Sequence, residues 1–255
     1  MAPDSAGYHA PMRSEPTRRY RTLGRSVRLF RSFLVEQTDP ERFYTDLAED
    51  TAELVRRHEP LTDRTVVDVG AGQPAYPRVF AAAGASYIAV DVDRDALHEV
   101  PGTARLQARG ESLPLADGVA DIVLSSNVME HVEHPGVLGE EMLRVARPGG
   151  LVVISFTSWS SPWGGHETSP WHWLGGDFAA RRYTRRTGHP PKNRYGETLH
   201  PTRVSDGLRW ARSREDAWVV EAVPRYHPEW AGVVMDLPGV REVAAWNLLL
   251  VLRRR

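Results

Sequence analysis

The chain has no cysteine, which excludes a disulfide framework and a thiolate-held zinc site. Lysine is nearly absent too: Lys192 stands alone among 32 basic residues. Those are balanced to a net charge of −1, unlike the strongly basic surface of a general nucleic-acid binder. No stretch of about eighteen apolar residues occurs, so no transmembrane helix is expected. The N-terminus lacks an apolar signal core, and a soluble cytoplasmic protein is the expectation. The length of 255 residues suits one α/β domain with insertions.

Against those absences stands Thr65-Val66-Val67-Asp68-Val69-Gly70-Ala71-Gly72-Gln73-Pro74. A β-branched run ends in an acidic residue and breaks into a glycine turn. A doubly wound α/β domain opens its cofactor crevice this way, at the carboxyl end of its first strand. Ala85 to Asp93 reads as a second buried strand with Asp91 at its tip. Asp91 follows the glycine turn by about twenty residues, the spacing at which a carboxylate receives a ribose diol. An adenosine-type ligand follows from these two features.

What the turn lacks decides between ligands. A third glycine, which completes the dinucleotide G-x-G-x-x-G pattern, is missing. Pro74, suited to a first helical position, has no N–H to offer an anion. Tyr76 and Arg78 add bulk where a pyrophosphate would rest. S-adenosylmethionine (SAM), which carries no phosphate, fits better, its methionine end near Asp68 and the glycines. An NAD(P)-dependent oxidoreductase is the alternative enzyme, and no Tyr-x-x-x-Lys pair supports it, since Gly188 precedes Lys192 by four. A SAM-fold binding protein without catalysis is a third reading, against which the intact cofactor residues argue.

Further motifs follow in order. Glu111-Ser112-Leu113-Pro114-Leu115 is similar to an E-x-L-P-F segment, and Ala120 to Asn127 to a fourth strand. Glu130-His131-Val132 lies on the next turn, and Arg147-Pro148-Gly149-Gly150 is similar to an L-K-P-G-G turn. Residues 65–156 thereby resemble the core of a class I SAM-dependent methyltransferase of the small-molecule type. The resemblance implies a Rossmann-like, doubly wound, mostly parallel sheet ending in an antiparallel strand pair. It implies that Gly70, Ala71 and Gly72 line the methionine, and that Asp91, with Val92 beside it, holds the ribose. Gly110 and Glu111 would border the adenine, and Asn127 would sit beneath the sulfonium. Arg109 departs from the pattern: relatives carry there an aspartate that accepts a bond from the adenine amino group. A guanidinium cannot accept it, so backbone or apolar contacts must read the ring.

Residues 1–16 read as a disordered tail. An arginine-rich helix from Thr17 to Val35 carries Leu23, Val27, Phe30 and Leu34 at helical spacing. Two readings stand for it: a peripheral contact with anionic lipid, or a domain cap with solvated arginines. Asp39 and Pro40 start a second helix running to about Arg57; by resemblance, residues 17–60 form a lid over the cofactor. The SAM-binding domain is expected over 61–255. Within it, helices are expected at Gly136–Arg147, Gly176–Thr187 and Val204–Arg212, and strands at Ala217–Val223 and Asn247–Leu252. A long insertion, about 158–202, should run over the carboxyl edge of the sheet.

Methyl transfer needs an aligned nucleophile in a water-poor site, and a base if that nucleophile is a hydroxyl. His131, after the fourth strand, is a candidate base or a histidine that orders its loop. With His134 it forms an H-x-x-H pair, but no third ligand stands nearby in sequence and no metal is expected. Four of the eight tryptophans lie within residues 158–173, among His166, Glu167 and His172. Trp159, Trp163, His166, Glu167, Trp171 and His172 are candidates for an acceptor wall, the alternative being tryptophans that anchor a loop. His166 is the second base candidate, and Gly164 and Gly165 would give a lid its hinge. The segments Lys192–Glu197 and Arg225–Pro228 border the acceptor or are plain surface loop. The expected acceptor is a small molecule, a glycan or a glycolipid, methylated at oxygen. The G-G-H-E turn and the P-P-K-N segment look like those of actinobacterial methyltransferases of uncertain substrate.

Overall fold

The computed structural model describes residues 20–36 and 38–255. The expected tail over 1–16 and the first residues of the arginine-rich helix lie outside the described residues. Seven strands form one sheet: β1 (Thr65–Val69), β2 (Ser86–Asp91), β3 (Thr103–Gln107), β4 (Ala120–Ser126), β5 (Ala146–Thr157), β6 (Ala217–Pro224) and β7 (Asn247–Arg254). Their order is β3-β2-β1-β4-β5-β7-β6. The first five pair in parallel, and β7 runs antiparallel to both β5 and β6. This is the doubly wound sheet with an antiparallel C-terminal pair that the resemblance implies.

Alternation along the strands explains why both faces are covered. In β1, Val67 and Val69 join one core while Val66 joins the other. In β5, Val152, Ile154 and Phe156 face the first core, and Leu151 and Val153 the second. Strands buried on both sides need helices on both sides. Helices α2 (Pro40–Arg56) and α3 (Ala75–Ala82) cover one face with Leu47, Leu54 and Phe80. Helices α4 (Pro135–Val145) and α6 (Val204–Arg212) cover the other with Leu138, Met142 and Leu208, while α5 (Gly176–Thr187) forms in the insertion as expected. The chain winds outward from β1 through β2 to β3, then returns to place β4 on β1's other side. That reversal opens a crevice at the carboxyl ends of β1 and β4.

Several expectations needed adjustment. The helix expected to run to Arg147 stops at Val145, because Ala146 already pairs with Ala120 of β4. The Arg147–Gly150 turn therefore lies inside β5, with Gly149 at φ +75°. Pro74 caps α3 instead of occupying its first turn. The basic helix α1 (Leu23–Leu34) starts at Thr22, whose Oγ1 accepts from the Arg25 amide at 3.2 Å.

Its arginines are not all solvated. Arg25 is buried and grips Asp50 of α2 through Nε and Nη2, both at 2.6 Å, and its Nη1 donates to the Arg225 carbonyl. Sequence reading also passed over the stretch after β6, which forms a 3-10 turn at Glu229–Asp236 and a short helix α7 (Val240–Ala244). Among the described residues no helix is long and apolar enough to cross a membrane.

Candidate active site

A cavity of about 1540 Å³ lies at the carboxyl ends of β1, β2 and β4. Asp68, Gly70, Ala71, Gly72, Asp91, Val92, Gly110, Glu111 and Asn127 all line it. At Gly70 the turn is bare backbone because nothing else fits. Gly70 has φ +84°, and a Cβ there would stand 2.2 Å from a Val128 methyl. A Cβ on Gly72 would sit 3.4 Å from Asp91 Oδ2, so the turn and the acidic strand tip face each other closely. Gly110 packs under Leu138, where a Cβ would come within 2.4 Å.

Two carboxylates give this end its electrostatics. Asp68 is buried and accepts a hydrogen bond from the Tyr87 hydroxyl. Burial pushes its carboxyl up to about 7 against that bond, and the Asp91 charge adds to the rise. Asp91 is raised as well, chiefly by burial, though the Asp93 amide donates to its Oδ1 at 2.9 Å. Both therefore gain from a cationic or hydrogen-donating ligand. Arg109, largely exposed, meets Glu111 at 3.3 Å and lines the cavity there together with Ala108, Gly110 and Leu138.

Asn127 links the two ends. It adopts φ +58°, a conformation asparagine tolerates. Its amide donates to Ser155 and its Oδ1 accepts from Asn247 Nδ2 at 2.7 Å. Beyond it the cavity continues past His131, Trp163, His166 and Glu167 to Phe30 and Phe33 of α1. His131 Nδ1 lies 2.7 Å from the Thr198 carbonyl. A carbonyl only accepts, so Nδ1 carries the proton and Nε2 is left free. The two imidazoles stand 5.0 Å apart, and His166 Nε2 is buried with no hydrogen-bond partner among the described residues. Burial pushes His166 down to about 4, and the neighbouring His131 deepens the shift.

Not every candidate reaches the cavity. Trp159, Trp171 and His172 stand outside its wall. Trp159 packs 5.1 Å from both His172 and Tyr195, and Arg182 stacks on Trp171 at 4.0 Å. His172 is buried with Nε2 on the Ser161 carbonyl. These three order the insertion instead of walling the cavity. Gly164 and Gly165 belong to the same packing: a Cβ on them would strike the Trp159 carbonyl at 2.1 Å and the His172 ring at 2.5 Å. Close approach, and not hinge freedom, accounts for both glycines. Glu167 is held by Asn193 through backbone and side chain, each at 2.8 Å, which ties the G-G-H-E turn to the P-P-K-N segment.

Sequence reading missed a buried network behind the glycine-turn end of the cavity. Arg225, from a segment that could have been plain surface, is 2% exposed. It donates to Ser126 at 2.8 Å, to Thr51 at 2.7 Å and to Ser155. Tyr76 donates to Ser126 Oγ at 3.0 Å from the same pocket wall. A lone arginine before a Tyr-His-Pro run carries no burial signal; only its placement at the end of β6 reveals one. His200 and Trp246 also line the cavity without a motif to announce them, whereas Lys192, Asn193, Glu197, Tyr226 and His227 line it from the two segments singled out in the sequence.

Comparison with known proteins agrees with this geometry. Residues 67–154 match the methyltransferase domain family. An uncharacterized methyltransferase of Mycobacteroides abscessus is 50% identical over 249 residues, covering 92% of this chain and 95% of that protein. The chain belongs to the class I SAM-dependent methyltransferase family. A Mycobacterium marinum relative, also an uncharacterized methyltransferase, is 48% identical over 247 residues, 92% of this chain and 96% of its own. The fold is shared with a SAM-dependent methyltransferase from Mesorhizobium loti at TM-score 0.56 and 19% identity, covering 81% of this chain and 98% of that one. An Aquifex aeolicus SAM-dependent methyltransferase aligns at TM-score 0.52 and 14% identity over 89% of this methyltransferase and 98% of its own chain.

Proposed function

We propose that this methyltransferase moves a methyl group from SAM to an oxygen of a small-molecule acceptor with a lipid-like part. The observation that carries this is a single cavity with two unlike ends. One end holds every residue expected to contact the cofactor; the other is aromatic and bears His131 and His166. When bound, SAM supplies an electrophilic methyl. Asp91 would receive the ribose hydroxyls, the bare glycine turn would lie along the methionine, and Asp68 would face its ammonium. Gly110 and Glu111, with Leu138, would border the adenine, and Asn127 would sit at the sulfonium.

The acceptor would enter across α1. His131 Nε2 and His166 Nε2 lack partners and are placed to accept the hydrogen bond of an acceptor hydroxyl. Trp163, with Phe30 and Phe33, gives that end an aromatic wall: the Phe33 and Trp163 rings stand 5.1 Å apart. Glu167 would help to fix polar groups of the acceptor at the mouth. Outside the mouth, Leu23 and Leu34 of α1 are exposed, as are Trp230 and Val233. The Glu229 amide bonds to the Arg21 carbonyl, so the Trp230 turn flanks α1. An apolar rim of this size beside exposed Arg28 and Arg31 supports a peripheral membrane contact and a glycolipid-like acceptor.

Parallel calorimetric titrations with SAM, S-adenosylhomocysteine and NAD test the cofactor half. Micromolar binding of the first two without NAD is expected; binding of NAD alone would refute the assignment. Transfer of labelled methyl to lipid-linked hydroxyl acceptors, but to none lacking the hydroxyl, tests the rest.

A further inference from the structure

The acceptor end holds a cluster that hydrogen bonding within the protein leaves incomplete. Glu130 and His131 come from the 3-10 turn after β4, and His166 comes from the insertion. One ligand atom from each lies within 4.8 Å of the other two. Glu130 is 1% exposed. Its Oε1 accepts from the Thr157 amide at 2.9 Å, and its Oε2 has no partner among the described residues. His166 Nε2 is equally orphaned, and His131 Nε2 is free because Nδ1 is engaged by Thr198. A buried polar atom without a partner is destabilising, and here two such atoms, Glu130 Oε2 and His166 Nε2, converge with the half-buried His131.

We propose that Glu130, His131 and His166 bind one divalent transition cation of the Zn²⁺ class, with an open position facing the acceptor. Two imidazoles and a carboxylate are the donor set of a catalytic zinc site, and imidazole disfavours magnesium and calcium. The supporting bonds fit as well. A metal-binding histidine usually gives its other N–H to a carbonyl, and a ligating carboxylate is itself hydrogen-bonded. Thr198 and the Thr157 amide provide those two contacts. Tetrahedral zinc holds such ligands roughly 3.3 Å apart, so the widest pair must draw in by roughly 1.5 Å, a matter of side-chain rotation. His134 takes no part, so the H-x-x-H spacing was not the signal; His166, thirty-five positions beyond His131, is the third ligand.

The cation's chemical use rests on the methyl-transfer reading; its binding does not. With the cation bound the two imidazole lone pairs are taken, and an acceptor hydroxyl at the open position would be acidified by the cation in place of hydrogen-bonding the imidazoles. Its proton would pass to water, and its oxygen would bond the methyl carbon. The carbon–sulfur bond then breaks with its electron pair kept by sulfur, leaving S-adenosylhomocysteine.

The test uses the full chain freed of metal by a chelator, then titrated with Zn²⁺ by calorimetry and with Co²⁺ by visible absorption. One ion per chain is expected, with the intense bands of four-coordinate cobalt. Affinity should fall at least about a hundredfold in His166→Ala and in Glu130→Gln, beyond the loss that removing an outer partner brings, and hold in His134→Ala. Glu130→Gln keeps the shape of the side chain, so a misfolded His166→Ala would not void the test. Absence of stoichiometric binding would overturn the proposal, as would binding that both variants leave intact. Titration of the metal-free protein with SAM reports separately on the methyltransferase reading.

Discussion

At the cofactor end the cavity is built from backbone and strand tips within one continuous stretch, whereas its acceptor end is assembled from side chains scattered along the chain. Asp68, the glycine turn, Asp91, Gly110 and Asn127 fall inside residues 67–154, the part that matches the domain family. Phe30, Phe33, Trp163, His166, His200 and Trp246 fall outside it. A strand that must end in a tight turn under a ligand leaves a local signature of β-branched residues, an acid and glycine. A wall contributed by helices and an insertion leaves none, since each residue there answers to tertiary neighbours. Only the first region therefore falls within the stretch that matches the domain family.

That contrast can be broken most forcefully where the two regions are joined. The Arg25–Asp50 pair fastens α1, a wall of the acceptor end, to the body. Its side chains are 7% and 1% exposed. Asp50→Ala would strand a buried guanidinium, and loss of one member of such a pair costs ~3–5 kcal/mol. Chemical denaturation should show that drop. Hydrogen exchange should place the greatest added opening in α1. An unchanged midpoint would mean that α1 is held by its aromatic contacts alone.

Next in size is Gly70→Ala, which attacks the cofactor end. At φ +84° and 2.2 Å from Val128, the new methyl meets both backbone strain and a clash. Together these should cost about 2–4 kcal/mol and weaken SAM binding. Adding Val128→Ala should restore only the part due to the clash. Full restoration would show that the left-handed backbone contributes nothing.

The same contrast explains what the sequence made legible. The alternation of strands and helices could be read because the hydrophobic runs, the glycine turn and Asp91 each obey local rules, while the antiparallel end of the sheet came from the resemblance. Asp39 and Pro40 likewise announced α2 at its observed start. The insertion resisted because tryptophan spacing does not say which ring faces a cavity. Trp163 faces it while Trp159, four residues earlier, packs on His172. Arg25 and Arg225 resisted for a related reason: a buried arginine looks like any other until its partners, here Asp50 and the hydroxyls of Thr51 and Ser126, are in place.

Two substitutions of intermediate effect sharpen the division of labour. Asp91→Ala should weaken SAM binding by about 1–3 kcal/mol through lost charge-assisted bonds and leave acceptor KM unchanged. Trp163→Ala should do the reverse, raising acceptor KM while calorimetry shows SAM affinity intact. If either variant moved both parameters equally, the cavity would be one coupled site and not two separable ends.

The smallest effect, about tenfold at most across one pH unit, is a pH dependence at the cofactor end. Burial holds the Asp68 carboxyl up near 7 in the folded protein, above its ordinary value near 3.9. A raised carboxyl favours the protonated form. Its contribution to folding is therefore complete below about pH 4 and is lost as pH rises through 7. SAM reverses the balance, because its ammonium favours the ionised carboxylate. Binding should then release a proton below pH 7, and affinity should climb by up to about tenfold per pH unit towards 7 before levelling off. Calorimetry in buffers of different ionisation enthalpy counts that proton directly. Asp68→Asn should flatten the profile and abolish the release, and a profile already flat in the unsubstituted protein would place Asp68 away from the ammonium.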